Sequence, residues 1–247
     1  MQQEISDGKP SASTIHFLGC GNAHSMELGN SSAVFEQGDC LLCIDMGFTA
    51  YHAYKDRYKA LPEAVFITHG HLDHIGGLEN LFFDAYFNAK SLVKLFVPVS
   101  LVSLIHKKLA SIEHALAEGN ANFWDAFQLV PVEEAFWYRG LKFTVFENRH
   151  HQPEFSYGLA LSGKFLYSGD TKPIPEVINF HASNGELIFH DLSLTNQPSH
   201  TFVDELTCYT KNVLSRCWFY HLSNADDVQQ CEERGFNVVK PNQTFTL

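Results

Sequence analysis

The chain has 247 residues, room for one large domain or two small ones, and its 45% hydrophobic content supports a sizeable core. A net charge of −11 argues against non-specific nucleic-acid binding, which needs a basic surface, but not against a small phosphate ester held by metal ions. The opening MQQEISDGKP has no apolar signal-peptide core, and no window approaches the ~18 apolar residues of a membrane span, so a cytoplasmic protein without a membrane partner is expected.

Residues 1–13 are polar and read as a flexible N-terminal arm, with 14–247 as one domain. Residues 15–18 alternate as a strand, and a glycine-bearing loop, Gly19-Cys20-Gly21-Asn22-Ala23-His24-Ser25, follows. Residues 33–35 and 41–44 read as paired strands around Gln37-Gly38-Asp39. Cys40 and Cys43 have CxxC spacing but lie in an apolar run with no second CxxC, so they read as buried reduced thiols. A helix is expected over 51–59 and is stopped by Pro62. The apolar run 64–67 then reads as a buried strand, and 78–87 as helical. Residues 95–97 form a strand, and 101–117 a helix with Leu101, Leu104, Ile105, Leu109, Ile112 and Leu116 on one face. His106 and His114 fall on its polar side and read as surface residues.

The second half is strand-rich: 127–132, 136–138, 141–146, 157–161 and 165–167. Helices are expected over 175–180, 202–214 and 226–234, with strands at 187–189 and 217–220. No solenoid repeat or low-complexity linker is present. Hairpins first, then strands alternating with helices in both halves, point to two face-to-face sheets with helices outside.

Between the strand at 64–67 and the helix at 78–87 lies Thr68-His69-Gly70-His71-Leu72-Asp73-His74-Ile75-Gly76-Gly77. Three imidazoles and a carboxylate within residues 69–74 supply nitrogen and oxygen donors suited to zinc or a similar divalent ion. A strand-to-helix loop is where a rigid scaffold presents chemistry. Further candidates sit at other strand exits: His150 and His151 after 141–146, Asp170 after 165–167, and His221 after 217–220.

With these residues in this order the chain resembles the metallo-β-lactamase superfamily, through HGHLDH at 69–74, a His at 150 or 151, Asp170 in Ser-Gly-Asp-Thr, and His221. The resemblance covers nearly the whole chain. It implies an α+β fold, the four-layer αββα sandwich, with two divalent metal ions between the sheets. Zinc is the first expectation, with manganese or iron compatible with the same donors. By resemblance His69, His71 and His150 (or His151) hold one ion. Asp73, His74 and His221 hold the other, and Asp170 bridges. Spacing from Gly140 favours His150; the remaining His would orient a ligand or face substrate. Asp45, in Asp-Met-Gly, resembles the family's carboxylate that orients a ligand histidine. The ions would lower the pKa of a bridging water to a hydroxide nucleophile and clamp the attacking and leaving oxygens.

A narrower resemblance, to ribonuclease Z and its relatives, rests on Phe17-Leu18-Gly19-Cys20-Gly21, His190-Asp191-Leu192-Ser193 and Pro198-Ser199-His200-Thr201. It implies that His200, oriented by Asp191, is a general acid for a phosphodiester leaving group, with Asp73 the other residue nearest the chemistry. Two departures stand out. Asp occupies 191 where those relatives carry Glu, which shortens the reach to His200. Only about twenty residues separate His150 or His151 from Asp170, too few for a tRNA-gripping arm. The armless relatives include phosphodiesterases of small cyclic or nucleotide-like substrates; this chain lacks the N-terminal cysteine-rich zinc site that some of them carry. The expectation is a small phosphodiester substrate, not tRNA, and by resemblance a homodimer. Residues 84–137 are expected to shape the pocket. Alternatives are a glyoxalase II-like thioesterase, a tRNA 3′-processing homologue, and a non-catalytic metal-bearing binding module.

Overall fold

The computed structural model describes residues 12–110, 121–150 and 155–247. The expected arm therefore lies almost wholly outside the described residues, as do His114, His151 and the end of the helix expected over 101–117. One sheet is built from β1 (Thr14–Gly19), β2 (Ser32–Gln37), β3 (Cys40–Ile44), β4 (Ala64–Phe66), β5 (Val93–Pro98), β6 (Phe127–Val132) and β13 (Thr244–Thr246), in the order β13-β1-β2-β3-β4-β5-β6. The other holds β7 (Ala135–Tyr138), β8 (Leu141–Glu147), β9 (Tyr157–Leu161), β10 (Phe165–Tyr167), β11 (Leu187–Asp191) and β12 (Cys217–Tyr220), in the order β12-β11-β10-β9-β8-β7.

Central strands such as β3 and β4 are continuous apolar runs because both faces of the sheet are covered there. In β2, Ala33 and Phe35 face the space between the sheets while Val34 faces the outer helices; in β4, Ala64 and Phe66 divide from Val65 in the same way. On the first sheet the outer layer is α1 (Phe48–Tyr58), α3 (Leu78–Phe83) and α4 (Val99–Ile105), through Tyr54, Leu81 and Leu101. On the second it is α5 (Pro175–His181), α6 (Lys211–Leu214) and α7 (Ala225–Glu233), through Ile178, Val213 and Cys231. Phenylalanines fill the centre, with ring centroids 5.0 Å apart for Phe17 and Phe189 and 4.3 Å for Phe96 and Phe136, the spacing at which aromatic pairs attract beyond simple burial. This is the expected αββα sandwich, α+β in class.

The strands β3 to β6 run parallel to one another, as do β10 to β12, so their C-terminal ends collect along one end of the sandwich. There the sheets are tied together: His221 N–H donates to the Cys20 carbonyl at 2.7 Å.

Residues 127–132 form the expected strand and join the first sheet, in a parallel register with β5 that runs from Val93↔Phe127 to Pro98↔Val132. Other elements depart from expectation. The helix expected over 202–214 is a 3₁₀ segment, Val203–Cys208, then a break, then α6. Tyr209 causes the break: its backbone is extended, and its hydroxyl joins Ile174 N–H and the His190 ring. The helical run after α3 widens to a π-helix over Asp84–Ala89, as α4 does over His106–Ala110. The C-terminal strand β13 was not anticipated; three residues are too few for a visible period, and it forms only by pairing with β1. Cys40 and Cys43 are buried and unbridged, as expected, and burial pushes the Cys43 thiol up to about 12. No helix among the described residues is long and apolar enough to cross a membrane.

Candidate metal centre and active site

Six strand exits supply the site, those of β3, β4, β8, β10, β11 and β12. Behind β4, Thr68 turns the chain: its N–H and hydroxyl donate to the two Asp45 oxygens at 2.8 and 2.7 Å. The His74 ring meets Asp45 Oδ2 through Nδ1 at 2.8 Å, which leaves Nε2 as the outward nitrogen. Asp45 itself holds a left-handed φ of 61° at the end of β3, a strained conformation that persists only where its surroundings enforce it. The short helix α2 (Leu72–Ile75) then presents Asp73 and His74 on consecutive positions, with its N-terminal turn closed by His74 N–H to the His71 carbonyl. Gly47 is required beside it, since a Cβ there would stand 1.9 Å from the Asp73 carbonyl. From the second sheet, β10 delivers Asp170, β11 Asp191 and β12 His221, the last also at positive φ, 73°.

These side chains converge. One group joins His69, His71, His150 and Asp170; a second joins Asp73, His74, Asp170 and His221, and within each the nearest donor atoms lie within 4.8 Å of one another. Asp170 belongs to both. His150 thus sits in the first group, while its neighbour His151 is outside the described residues. Asp170 Oδ2 lies 3.6 Å from His69 Nε2, 3.3 Å from His74 Nε2 and 3.2 Å from His221 Nε2, so several donors face one carboxylate oxygen without close hydrogen bonds. His69 Nε2, His74 Nε2, His221 Nε2 and Asp170 Oδ1 are buried with no hydrogen-bond partner. Buried polar atoms of native proteins are almost always satisfied, and these four sit together, so the donor set fits divalent cations. Outer contacts fix the rings: His150 Nδ1 donates to the Ser199 carbonyl at 2.8 Å, and His69 Nδ1 contacts Thr68 Oγ1 at 3.0 Å.

Charge divides the two groups. Burial, reinforced by neighbouring imidazoles, holds His69 well below the usual histidine range and His71 at about 4, so both rings are neutral, the form that binds metal. Burial also lowers His150. In the second group burial opposes the charge on His221, but Asp170, Asp73 and Asp191 outweigh it and raise the ring to about 10. Burial would raise Asp170, yet His221, His74 and His69 hold it well below the usual carboxylate range.

A third cluster adjoins the second. His200 Nδ1 donates to Asp191 Oδ2 at 2.9 Å, and Asp191 Oδ1 stands 3.5 Å from His221 Nδ1. The shorter Asp therefore still reaches His200. Thr171 N–H donates to the same Asp191 oxygen at 2.9 Å, and Thr201 Oγ1 donates to the Thr171 carbonyl at 2.8 Å, so the strand carrying Asp170 also seats His200. Burial disfavours a charged His200, but Asp191 overrides it and raises the ring.

A cavity of about 140 Å³ opens onto Asp73, Asp170 and His221, with His200 in its wall. His71 also lines it, and its remaining walls are Asn22, Ala23, His24, Ser193 and Gln197. These were missed: loop residues carry no period, and only the glycines at 19 and 21 marked that first loop as unusual. Residues 84–137 do not line it, among those described, contrary to expectation.

Comparison with known proteins places this geometry. Among solved structures the chain superposes on a metallo-β-lactamase fold protein, YhfI of Bacillus subtilis, with a TM-score of 0.74 over 96% of this chain and 99% of that one, at 15% identity. A diphosphatase of the PhnP family gives 0.77 over 95% and 98%, at 17% identity, and human tRNase Z, short form, gives 0.68 over 94% and 98%, at 18%. At such identities the likeness is one of fold. In sequence, the chain is 28% identical to the Anti-Pycsar protein Apyc1 of Paenibacillus harenae over 246 residues, 94% of this chain and 99% of the relative. It is 29% identical to that of Bacillus phage BSP38 over 220 residues, 79% and 82% of the two chains. The Anti-Pycsar protein Apyc1 family profile matches residues 13–245, and the chain therefore belongs to that family.

Proposed function

We propose that this protein is a metal-dependent phosphodiesterase acting on a small cyclic or nucleotide-like phosphodiester. The observation that carries this reading is the His200–Asp191 pair, joined at 2.9 Å, with His200 in the wall of the same small cavity as Asp73, Asp170 and His221. A proton donor beside a cation-binding cluster serves an ester whose leaving oxygen is a poor one. The cavity, about 140 Å³, suits a phosphoryl group with part of a sugar better than a folded RNA. Two of the fold neighbours are named as phosphate-cleaving enzymes, a diphosphatase and a tRNase Z, which agrees with that chemistry without naming this chain's substrate.

His69, His71, His150 and Asp170 would hold one cation, and Asp73, His74, Asp170 and His221 the other. Such cations, when bound, lower the pKa of water and offset charge on phosphoryl oxygens. The chain's own residues do the rest. Asp45 holds His74 in the tautomer whose Nε2 faces the site. Asp73, at the cavity wall, accepts from the nucleophilic water. As the water oxygen bonds to phosphorus and the P–O ester bond breaks, His200 gives its Nε2 proton to the leaving oxygen. Asp191, which accepts from Nδ1, stabilises the charged ring beforehand and keeps it aimed.

Replacing His200 with Ala should lower kcat for a cyclic nucleotide by about 10²–10⁴-fold, the usual worth of a general acid. Turnover of bis-p-nitrophenyl phosphate, whose leaving group needs no proton, should fall far less, at unchanged metal content. Equal losses on both substrates, or hydrolysis of a glutathione thioester without diester cleavage, would overturn the reading.

A further inference from the structure

Residues 99–110 match no motif and line no part of the catalytic cavity, yet they touch the metal-binding loop at two points and reach it at a third through Tyr157. Their sequence divides by face. Leu101, Ile105 and Leu109 are buried in the core over the first sheet. One residue earlier in each turn, Ser100, Leu104 and Lys108 recur at a spacing of four and share another face. Ser100 Oγ meets the Tyr157 hydroxyl at 2.7 Å, and Tyr157 N–H donates to the Thr68 carbonyl at 2.9 Å, immediately before His69. Leu104 lies against Gly70, where a Cβ would stand 2.5 Å from Leu104 Cδ2 and would push the leucine side chain aside. Lys108, on the π-helical turn that ends the segment, donates from Nζ to the Gly70 carbonyl at 2.8 Å. Gly70 separates His69 from His71, so this charge-assisted bond falls on the peptide that sets where two donor rings point.

We infer that the α4 segment is the outer brace of the metal loop and that Lys108 is its positioning residue, holding the His69–Gly70–His71 backbone for a divalent cation. This rests on the metal-site reading above, not on the choice of substrate. A cation beside a cation site is unfavourable by charge alone. The Lys108 ammonium is held on the Gly70 carbonyl, which it polarises.

The test uses the full chain stripped of metal and titrated with Zn²⁺ alone against a chromophoric chelator. The variants are Lys108→Met, which keeps the stem and removes the donor, and Lys108→Arg, which keeps a donor. Partners of ligand-bearing groups are worth 10–100-fold in affinity, so Lys108→Met should bind Zn²⁺ at least about tenfold more weakly. Lys108→Arg should recover part of the loss, and the Co²⁺ absorption spectrum should broaden in Lys108→Met. Thermal unfolding of the metal-free proteins separates the roles: a merely structural lysine would lower stability and leave affinity unchanged. Wild-type Zn²⁺ affinity in Lys108→Met overturns the inference alone. Zn²⁺ binding that survives the double substitution His69→Ala and His74→Ala overturns the metal-site reading, and the inference with it.

Discussion

A single carboxylate, Asp191, faces two imidazoles, accepting from His200 at 2.9 Å and standing 3.5 Å from His221. The residue pattern pointed to Asp191 and His200 but also implied that Asp falls short where relatives carry Glu. The gap closes because the His200 loop is drawn inward by the Thr201–Thr171 bond, a contact between residues with no visible sequence relation. Another histidine matters for stability alone. His16 is buried on β1 against Thr244 Oγ1 at 2.8 Å, and burial, aided by Arg57, lowers its pKa to about 4. The folded chain keeps this ring neutral where the unfolded chain, near 6.5, would protonate it. Its contribution is therefore full above pH 6.5 and is lost as pH falls towards 4. Urea midpoints at pH 7 and pH 5 should show wild type losing on the order of 1–2 kcal/mol more than His16→Gln over that interval. Parallel losses in the two proteins would show that His16 does not titrate this way.

At the scale of elements, the strands were the most legible part. Runs such as Ala64-Val65-Phe66 are apolar on both faces because helices cover one side and the second sheet the other. Elements held by tertiary contacts alone were not legible: β13 exists through its pairing with β1, and the helix expected over 202–214 is broken where Tyr209 leaves the helical path to reach His190. Close approach between elements was equally hidden. The turn before α1 presses against α2 at Gly47, and Gly47→Ala would force a Cβ to 1.9 Å from the Asp73 carbonyl. Overpacking of this kind costs typically 1–3 kcal/mol, so Gly47→Ala should lower the unfolding free energy in a denaturant titration by about 2 kcal/mol. It should weaken Zn²⁺ binding as well, since α2 must move. A variant as stable as wild type would show that the turn relaxes freely.

At the scale of the whole molecule, the site exists because two sheets end at the same place. The first sheet brings His69, His71, Asp73 and His74 with Asp45 behind them, and the second brings His150, Asp170, Asp191 and His221. Four of the donor atoms are buried without partners, so a bound cation should stabilise the join between the sheets. Dialysis against a chelator should lower Tm, and Zn²⁺ at about 100 times its Kd should restore about 2.7 kcal/mol. A melting curve indifferent to both treatments would show that metal does not contribute to the stability of the folded chain.

The sequence by itself determined the class of fold and the candidate donors at its strand exits. Strand periodicity and the donors at strand exits are local properties, so HGHLDH, Asp170 and His221 could be read directly, and Asp45 through resemblance. Only the tertiary structure decided what surrounds them. It placed His150 beside His71, with its Nε2 3.3 Å from His71 Nδ1. Among the described residues it put the cavity walls at Asn22, His24, Ser193 and Gln197, and it set 99–108 against the loop that carries His69 and His71. The reason is physical: a ligand's identity lies in its own side chain, whereas a wall or a brace is a distance between segments far apart in the chain, fixed only when the two sheets close on a shared core.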